Sequence, residues 1–365
     1  MRRWSWVLCV GLGCSAGSVA GPDTATVDGG GASADPKAGP DCRDDDTFDV
    51  GLPLNVLGAR VVEGRAGDAT TLAALDALIA ILGAADGPWS HRVVGPWVGV
   101  PGEAFVAQDQ QELAQASVAD VVVDGEGRRW LFAVDGDLAA MRAAAAAGEA
   151  LPMGWGGLGG LRAAVEGEAG WEPVALSLDG EAPLVLVDPT LIALPGGGWR
   201  LYAFAVAAED LCGDDPDPAA SPGPHRIWAA ASDDLLRWTA LGVVWEAPED
   251  ATDPAVWCTP DGGECGLLVG RGDEPPDAAR SEDGGETWSA TTVSLPSGRL
   301  SMPDVAWGGD GLWMVAQGEG PALRLLSSPE GWTWTEEVAP GLEGSGPTLV
   351  VDGVGALGAL SVWKH

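Results

Sequence analysis

Four aspartates stand at the beginning of apolar runs along the chain: Asp120, Asp188, Asp253 and Asp304. Carboxyl groups held close together shift one another's pKa values, so one can stay protonated while its neighbour is ionised. General acid–base chemistry needs that division of roles. Whether the four aspartates can act together depends on the elements that position them.

The four aspartates open successive copies of a sequence repeat. Each copy continues with a Gly-rich turn and two more apolar runs, and it ends in a small polar turn closed by tryptophan. The copies run from Asp120 to Trp171, from Asp188 to Trp238, from Asp253 to Trp288 and from Asp304 to Trp334, and a fifth begins at Gly346. Repeats of several short strands are typical of radial β architectures.

The ends of the repeat array predict how the fold closes. The segment 91–100 has the pattern of an outer strand without its own unit, and the last repeat lacks an outer strand. We predict an all-β fold, a five-bladed β-propeller closed by N- and C-terminal strands that share a blade. Six blades are the alternative, with residues 46–65 supplying the sixth. Short helical insertions are predicted at 69–83 and 137–149, and an acidic loop at 206–224.

The N-terminus indicates export. Two arginines precede a short apolar run, and the sequence up to Cys14 resembles a bacterial lipobox, which implies a signal peptide at 1–13 and lipidation of Cys14. Ordinary cleavage after Ala20 is the alternative. Residues 14–45 are predicted to be a flexible spacer, and 46–365 the propeller domain. The lipid anchor would be the protein's only contact with the membrane.

Four cysteines remain after the signal and the lipidation site. Cys258 and Cys265 flank a turn-forming run between two apolar stretches, so a disulfide across a hairpin is predicted there. A second bridge would then join Cys42 to Cys212. A zinc site is the rival use of these residues, but the sequence has no Cys-x-x-Cys pair.

Three segments that end a repeat resemble the Asp-box motif, Ser-x-Asp-x-Gly-x-Thr-Trp, of sialidases and many other propellers. Residues 281–288 match every fixed position, 327–334 carry Pro329 in place of the aspartate, and 232–238 is a looser copy. The resemblance implies turn and packing roles, not catalytic ones. These roles fall on Ser281, Asp283, Gly285, Thr287, Trp288, Ser327, Gly331, Thr333, Trp334, Trp238 and Trp171.

The pairs Asp188-Pro189 and Asp253-Pro254 resemble blade openings in five-bladed glycoside hydrolases of the arabinanase, xylosidase and fructosidase kind. In that architecture the innermost strands begin at the central axis, so the resemblance implies an axial ring of candidate catalytic residues, Asp120, Asp188, Asp253 and Asp304. Those enzymes also use an acid glutamate. The alternative is that the aspartates cap the inner strands or hold a cation or water.

The resemblance is incomplete. No glutamate opens a blade. Glu264-Cys265 and Glu319-Gly320-Pro321 resemble motifs of these enzymes, but both lie outside the blade openings, so we interpret the two matches as coincidental. Sialidase chemistry is not supported, because the single tyrosine, Tyr202, lies mid-strand and is expected in the core.

Two acidic loops raise one cofactor hypothesis. A bridge between Cys42 and Cys212 would bring the acidic residues 41–46 close to the acidic loop 206–224. Clustered carboxylates repel one another unless a hard cation or solvent lies between them. Ca²⁺ is therefore a hypothesis, and two solvated loops are the alternative. The candidate ligands are Asp44, Asp46, Asp214 and Asp215.

The net charge of −35 argues against nucleic acid as a partner, because an acidic surface repels phosphate backbones. We expect a monomeric, extracytoplasmic lipoprotein whose propeller binds carbohydrate at the channel mouth, with hydrolysis as the stronger form of the hypothesis. The alternative function is a non-catalytic extracellular module for protein interaction or structure.

Overall fold

The computed structural model describes residues 92–114, 116–135, 161–180, 185–206, 225–247, 252–271, 274–309, 311–344, 346–351 and 360–364, and six single positions in the predicted helices. Those six, Ala69, Leu72, Asp76, Ala143, Ala146 and Ala147, are helical. Residues 46–65, on which the six-blade alternative rests, lie outside the described residues.

The described strands form five sheets. The first two described strands, β1 (Arg92–Gly99) and β2 (Val106–Ala114), join the last sheet. Blade 1 contains β3 (Ala116–Val123), β4 (Arg129–Asp135), β5 (Leu161–Gly167) and β6 (Gly170–Val174). Blade 2 contains β7 (Ser177–Asp179), β8 (Val185–Ala193), β9 (Trp199–Val206), β10 (His225–Ser232) and β11 (Arg237–Ala247).

Blades 3 and 4 each follow the same four-strand order. Blade 3 contains β12 (Thr252–Cys258), β13 (Cys265–Arg271), β14 (Glu274–Ser281) and β15 (Ser289–Thr291). Blade 4 contains β16 (Ser301–Gly308), β17 (Gly311–Gln317), β18 (Leu323–Ser328) and β19 (Thr335–Glu337). Blade 5 combines β20 (Thr348–Val351) and β21 (Leu360–Lys364) with β1 and β2, in the order β2-β1-β21-β20.

The innermost strands meet in a closed ring. Strand β3 packs against β8, β8 against β12, β12 against β16, β16 against β20, and β20 against β3. This cyclic order confirms the five-bladed β-propeller. The second strands read as continuous apolar runs, as in β9, because both faces of a blade are covered by its neighbours.

Aromatic pairs fill the spaces between blades. Trp238 of blade 2 meets the Phe132 ring of blade 1 edge to face, with ring centroids 5.8 Å apart. Trp334 of blade 4 meets Trp257 of blade 3 in the same way at 6.1 Å. The closing tryptophan of a repeat therefore packs against the preceding blade, where its large apolar area contributes most to stability.

The outer turn of blade 3 is built around Asp283. Its carboxylate accepts N–H groups from Glu286 and Thr287, at 3.0 and 2.9 Å, and hydroxyl groups from Ser281 and Thr287, both at 2.6 Å. The Ser281 hydroxyl in turn accepts the Gly285 N–H. These bonds satisfy the polar groups of the turn, which is a structural use of these residues.

The equivalent turn of blade 4 differs from the prediction by one residue. Ser328, not Ser327, accepts the N–H of Gly331 at 2.8 Å. Ser327 points its hydroxyl to Glu337 instead. With Pro329 in the aspartate position, this turn lacks the carboxylate that organises residues 281–288, and the neighbouring serine supplies the acceptor.

Candidate functional site at the propeller axis

The same backbone irregularity lies within four innermost strands and two residues before the fifth, β20. One residue at each place has a positive φ: Val118 (36°), Asp188 (53°), Asp253 (48°), Met302 (49°) and Gly346 (52°). In blades 1 to 4 the pairing register shifts at this residue, as in a β-bulge. Four of the five are not glycine, so the ring imposes a conformation that L-residues rarely adopt.

This irregularity corrects the predicted alignment of the aspartates. Asp188 and Asp253 are the positive-φ residues of their blades, equivalent to Gly346. Asp120 and Asp304 come two residues later, equivalent to Thr348. The four aspartates are therefore not one ring of equivalent residues, because blade 4 opens Pro-Asp where blades 2 and 3 open Asp-Pro. They form two separate pairs.

A small cavity lies on the axis at the mouth end, the end of the ring at which the innermost strands begin. It is lined by the five positive-φ residues, by the residue that follows each of them, and by Asp304. Four of the following residues are proline. The cavity volume is about 20 Å³, room for about one water molecule.

Asp188 and Asp253 form the first pair, in adjacent blades. Asp188 is 2% exposed, and its Oδ2 accepts the backbone N–H of Asp253 at 3.4 Å. Its Oδ1 is buried without a hydrogen-bond partner. Burial, and secondly the charge of Asp253, raise the pKa of Asp188 well above its ordinary value.

Asp120 and Asp304 form the second pair, joined through Thr348 of blade 5. The Thr348 hydroxyl lies 3.1 Å from Asp120 Oδ1 and 2.8 Å from Asp304 Oδ2. Burial, and secondly the charge of Asp304, raise the pKa of Asp120 well above its ordinary value. Burial also raises the pKa of Asp304.

Each of these carboxyl groups also bonds to the backbone of another blade. Asp120 Oδ2 accepts the N–H of Leu191 in blade 2 at 2.5 Å, and Asp304 Oδ2 accepts the N–H of Leu349 in blade 5 at 2.6 Å. With the bond from Asp253 to Asp188, buried carboxyls join blades 4 to 5, 1 to 2 and 2 to 3. Hydrogen bonds to charged or buried groups are among the stronger ones in proteins.

The other residues considered for chemistry lie away from the axis. Glu264 accepts hydrogen bonds from Arg280 and from the indole N–H of Trp332, both at 2.6 Å. Glu319 is exposed in the turn between β17 and β18. Tyr202 is fully buried and bonds to the Gly285 carbonyl, which confirms its expected place in the core.

Cys258 and Cys265 form the predicted disulfide across the hairpin of β12 and β13. Cys14, the Cys42–Cys212 pair and the four candidate calcium ligands lie outside the described residues. Within the part of the chain that the structure describes, no group of three or more His, Cys, Asp or Glu side chains is arranged to hold a metal ion. No helix among the described residues is long and apolar enough to cross a membrane.

The fold resembles solved carbohydrate-active enzymes only distantly. An exo-β-1,3-galactanase from Phanerochaete chrysosporium is 12% identical with a TM-score of 0.46, over 73% of this chain and 64% of its own. The arabinanase of Bacillus subtilis is 11% identical with a TM-score of 0.42, over 73% and 96%. A family 117 glycoside hydrolase from Zobellia galactanivorans is 12% identical with a TM-score of 0.45, over 68% and 84%.

The present chain therefore spans less than two thirds of the galactanase's length. No protein-family model matches the sequence. No curated protein matches it either. Structural similarity this distant does not support any conclusion about activity.

Proposed function

We propose that this protein is an extracytoplasmic β-propeller that binds carbohydrate at the mouth end and does not hydrolyse it. One observation supports a non-catalytic role above the others: three of the four axial carboxyls, those of Asp120, Asp188 and Asp304, accept backbone N–H groups from neighbouring blades. Asp120 is 4% exposed and is bonded to Leu191 and Thr348. A carboxyl that is buried and hydrogen-bonded in this way stabilises the ring and is not exposed to a substrate.

The size of the axial cavity points in the same direction. A volume of about 20 Å³ admits one hydroxyl group or water but not a sugar ring. Glycoside hydrolysis needs an acid and a base or nucleophile on either side of the bond, roughly 5 to 9.5 Å apart. Among the described lining residues the only acids are Asp188, Asp253 and Asp304, and no glutamate is present to act as the acid.

Two features support carbohydrate as the ligand. The Asp-Pro openings of blades 2 and 3 resemble those of propeller glycosidases. Asp188 Oδ1, which lacks a partner, is available to a ligand hydroxyl in the cavity.

The proposed location rests on separate evidence. Disulfides persist in oxidising compartments, and Cys258 is bonded to Cys265. Together with the signal-like N-terminus, this supports export with Cys14 as the lipid anchor. In the native bacterium we expect Cys14→Ser to move the protein from the detergent-rich to the aqueous phase of a Triton X-114 partition, and an unchanged partition would contradict the anchor.

The binding proposal can be tested with the exported chain lacking residues 1–20. We expect the protein to bind members of a glycan array and to release no chromophore from aryl glycosides. Asp188→Asn should weaken glycan binding about tenfold, because the amide replaces the acceptor oxygen that lacks a partner. Glu282→Gln is the matched control, since its side chain is 82% exposed on the turn at the other end of blade 3.

Three outcomes would contradict this proposal in different ways. A blank glycan array would remove carbohydrate as the ligand class. Equal binding by the Asp188→Asn and Glu282→Gln variants would move the site away from the axis. Turnover of an aryl glycoside that is lost in the Asp188→Asn variant would establish hydrolysis instead.

A second candidate function is protein interaction through the outer edge of blade 2. Strand β7 pairs with β11 only over Arg237–Thr239. Beyond this stretch Leu241 and Val243 are 46% and 47% exposed, so the outer strand presents two large apolar side chains that a partner could cover. If the glycan array is blank, a Leu241→Arg, Val243→Arg variant that loses cell-surface crosslinks would favour this function, and unchanged crosslinks would contradict it.

A further inference from the structure

The hydrogen bonds around Thr348 require a proton. Its hydroxyl has one hydrogen, yet carboxyl oxygens of Asp120 and Asp304 both lie within bonding distance, at 3.1 and 2.8 Å. The same hydroxyl oxygen accepts the backbone N–H of Val121 at 3.2 Å. If both carboxyls were ionised, one of them would face an oxygen lone pair without a hydrogen between them.

The surrounding donors show which carboxyl keeps its negative charge. Asp304 accepts the N–H groups of Val305 and Leu349, at 2.8 and 2.6 Å, in addition to the Thr348 hydroxyl. Asp120 accepts the N–H of Leu191, and it shares the N–H of Val121 with the Thr348 hydroxyl, so its carboxyl is held by fewer donors of its own. The consistent arrangement is a protonated Asp120 that donates to Thr348 Oγ1, while Thr348 donates to an ionised Asp304.

No described basic side chain offsets the charge at this site. The other titratable groups of the innermost strands near the axis are Asp188 on β8 and Asp253 on β12, both acids, and the described residues of β20 carry none. Strand β17, next to β16, has no titratable residue. Arg129 on β4 lies at the opposite end of its strand and pairs with Glu166.

We propose that one proton, held by Asp120, completes a hydrogen-bond chain from Asp120 through Thr348 to Asp304 and so closes the ring between blades 4, 5 and 1. When the proton leaves to solvent, the hydrogen bond from Asp120 to Thr348 is lost and two buried anions remain at one junction. This junction lies beside blade 5, where β1 pairs with β21. Closure is therefore tight in acid and weakens as the pH rises.

The direction of the pH effect follows from linkage. The folded protein keeps a proton on Asp120 that the unfolded chain releases at ordinary aspartate pKa, because burial and Asp304 raise the folded pKa. The stabilisation is complete below the unfolded pKa and is lost as the pH rises to the folded pKa. Over that window the unfolding equilibrium constant rises up to tenfold per pH unit.

The test compares unfolding equilibria from pH 5 to 9 for the wild type and Asp120→Asn. The amide of this variant donates to Thr348 without titrating. We therefore expect its unfolding equilibrium constant to rise with pH less steeply than that of the wild type, by a factor of up to ten per pH unit. Asp124→Asn is the control: the pKa of Asp124 is lowered to about 2, so this substitution should leave the slope above pH 5 unchanged. Equal slopes for the wild type and Asp120→Asn would overturn the proposal.

A spectroscopic measurement covers the case in which Asp120→Asn does not fold. We expect the infrared spectrum of the wild type at pH 7 to contain the C=O stretch of a buried protonated carboxyl. Its absence would overturn the proposal without any variant. Where Asp120→Asn does fold, we expect it to lose part of this band, and Asp124→Asn to keep all of it.

Discussion

The hydroxyl of Tyr202 donates a hydrogen bond to the backbone carbonyl of Gly285 at 3.1 Å, across the interface of blades 2 and 3. The tyrosine ring also meets Trp288 edge to face at 5.9 Å. Burial raises the pKa of Tyr202 to about 12, so the hydroxyl remains a neutral donor at any ordinary pH. A core tyrosine and an outer-turn glycine, 83 residues apart in sequence, thus join two blades.

Gly285→Ala should break this junction. A Cβ at position 285 would overlap the Tyr202 hydroxyl, and the φ of +85° disfavours any L-side chain. We expect the free energy of unfolding, measured in guanidinium, to fall by about 2 to 4 kcal/mol, because the backbone is strained and the hydroxyl loses its hydrogen-bond partner.

Gly284→Ala is the matched control for that prediction. Its φ of +73° carries the same kind of backbone strain, but the only neighbour of the new Cβ is the Gly262 carbonyl at 3.5 Å. We expect a loss of about 1 kcal/mol there. Equal losses in the two variants would show that the tyrosine bond contributes nothing.

Asp283 should make the protein sensitive to strong acid. Hydrogen bonds from Ser281 and then Thr287 hold the pKa of Asp283 below its ordinary value. A depressed folded pKa gives stability that is present above the unfolded pKa and is lost as the pH falls through the folded pKa. We expect Asp283→Asn to lose stability at pH 6 and to show a smaller further loss than the wild type between pH 4 and 2, measured by urea unfolding. Parallel pH curves for the two proteins would contradict this role.

The five-bladed architecture could be predicted because it repeats in the sequence. Apolar runs, turn residues and a closing tryptophan recur at similar spacing, and the structure places Trp238, Trp288 and Trp334 against the preceding blade. The one-residue shift from Ser327 to Ser328 was not predictable from the motif, because it depends on which hydroxyl reaches the Gly331 N–H.

The predicted equivalence of the four axial aspartates was wrong for a different reason. When the blades are aligned on aspartate, Asp304 is equivalent to Asp188. When they are aligned on proline, Met302-Pro303 is equivalent to Asp188-Pro189. The prolines follow the positive-φ residues in four blades, so they record the backbone bulge, and the carboxyls do not. Thr348 was missed as a site residue because a lone threonine gives no signal until Asp120 and Asp304 are known to flank it.

Glu264 should contribute to stability at the junction of blades 3 and 4. It accepts the Trp332 indole N–H and forms an ion pair with Arg280, whose guanidinium lies 5.9 Å from the Trp332 ring centroid. We expect Glu264→Ala to lower the free energy of unfolding by about 1 to 2 kcal/mol, mostly through the stranded indole N–H. Glu282→Ala removes a more exposed carboxylate 3.9 Å from the same arginine and should change stability by less than about 0.5 kcal/mol. A similar loss in both variants, measured by urea unfolding, would contradict the role of the indole bond.

The Cys258–Cys265 bridge allows the second predicted disulfide to be tested. The two cysteines are directly paired in the register of β12 and β13, so replacing both with serine should keep the fold and cost about 2 to 3 kcal/mol by freeing the unfolded chain. A reductant should then destabilise this double variant further if Cys42 is bonded to Cys212, because a bridge between distant residues closes a long loop. Guanidinium unfolding of the double variant with and without dithiothreitol makes the comparison. Identical curves would show that Cys258–Cys265 is the only reducible bridge that stabilises the fold, and the Cys42–Cys212 prediction would be wrong.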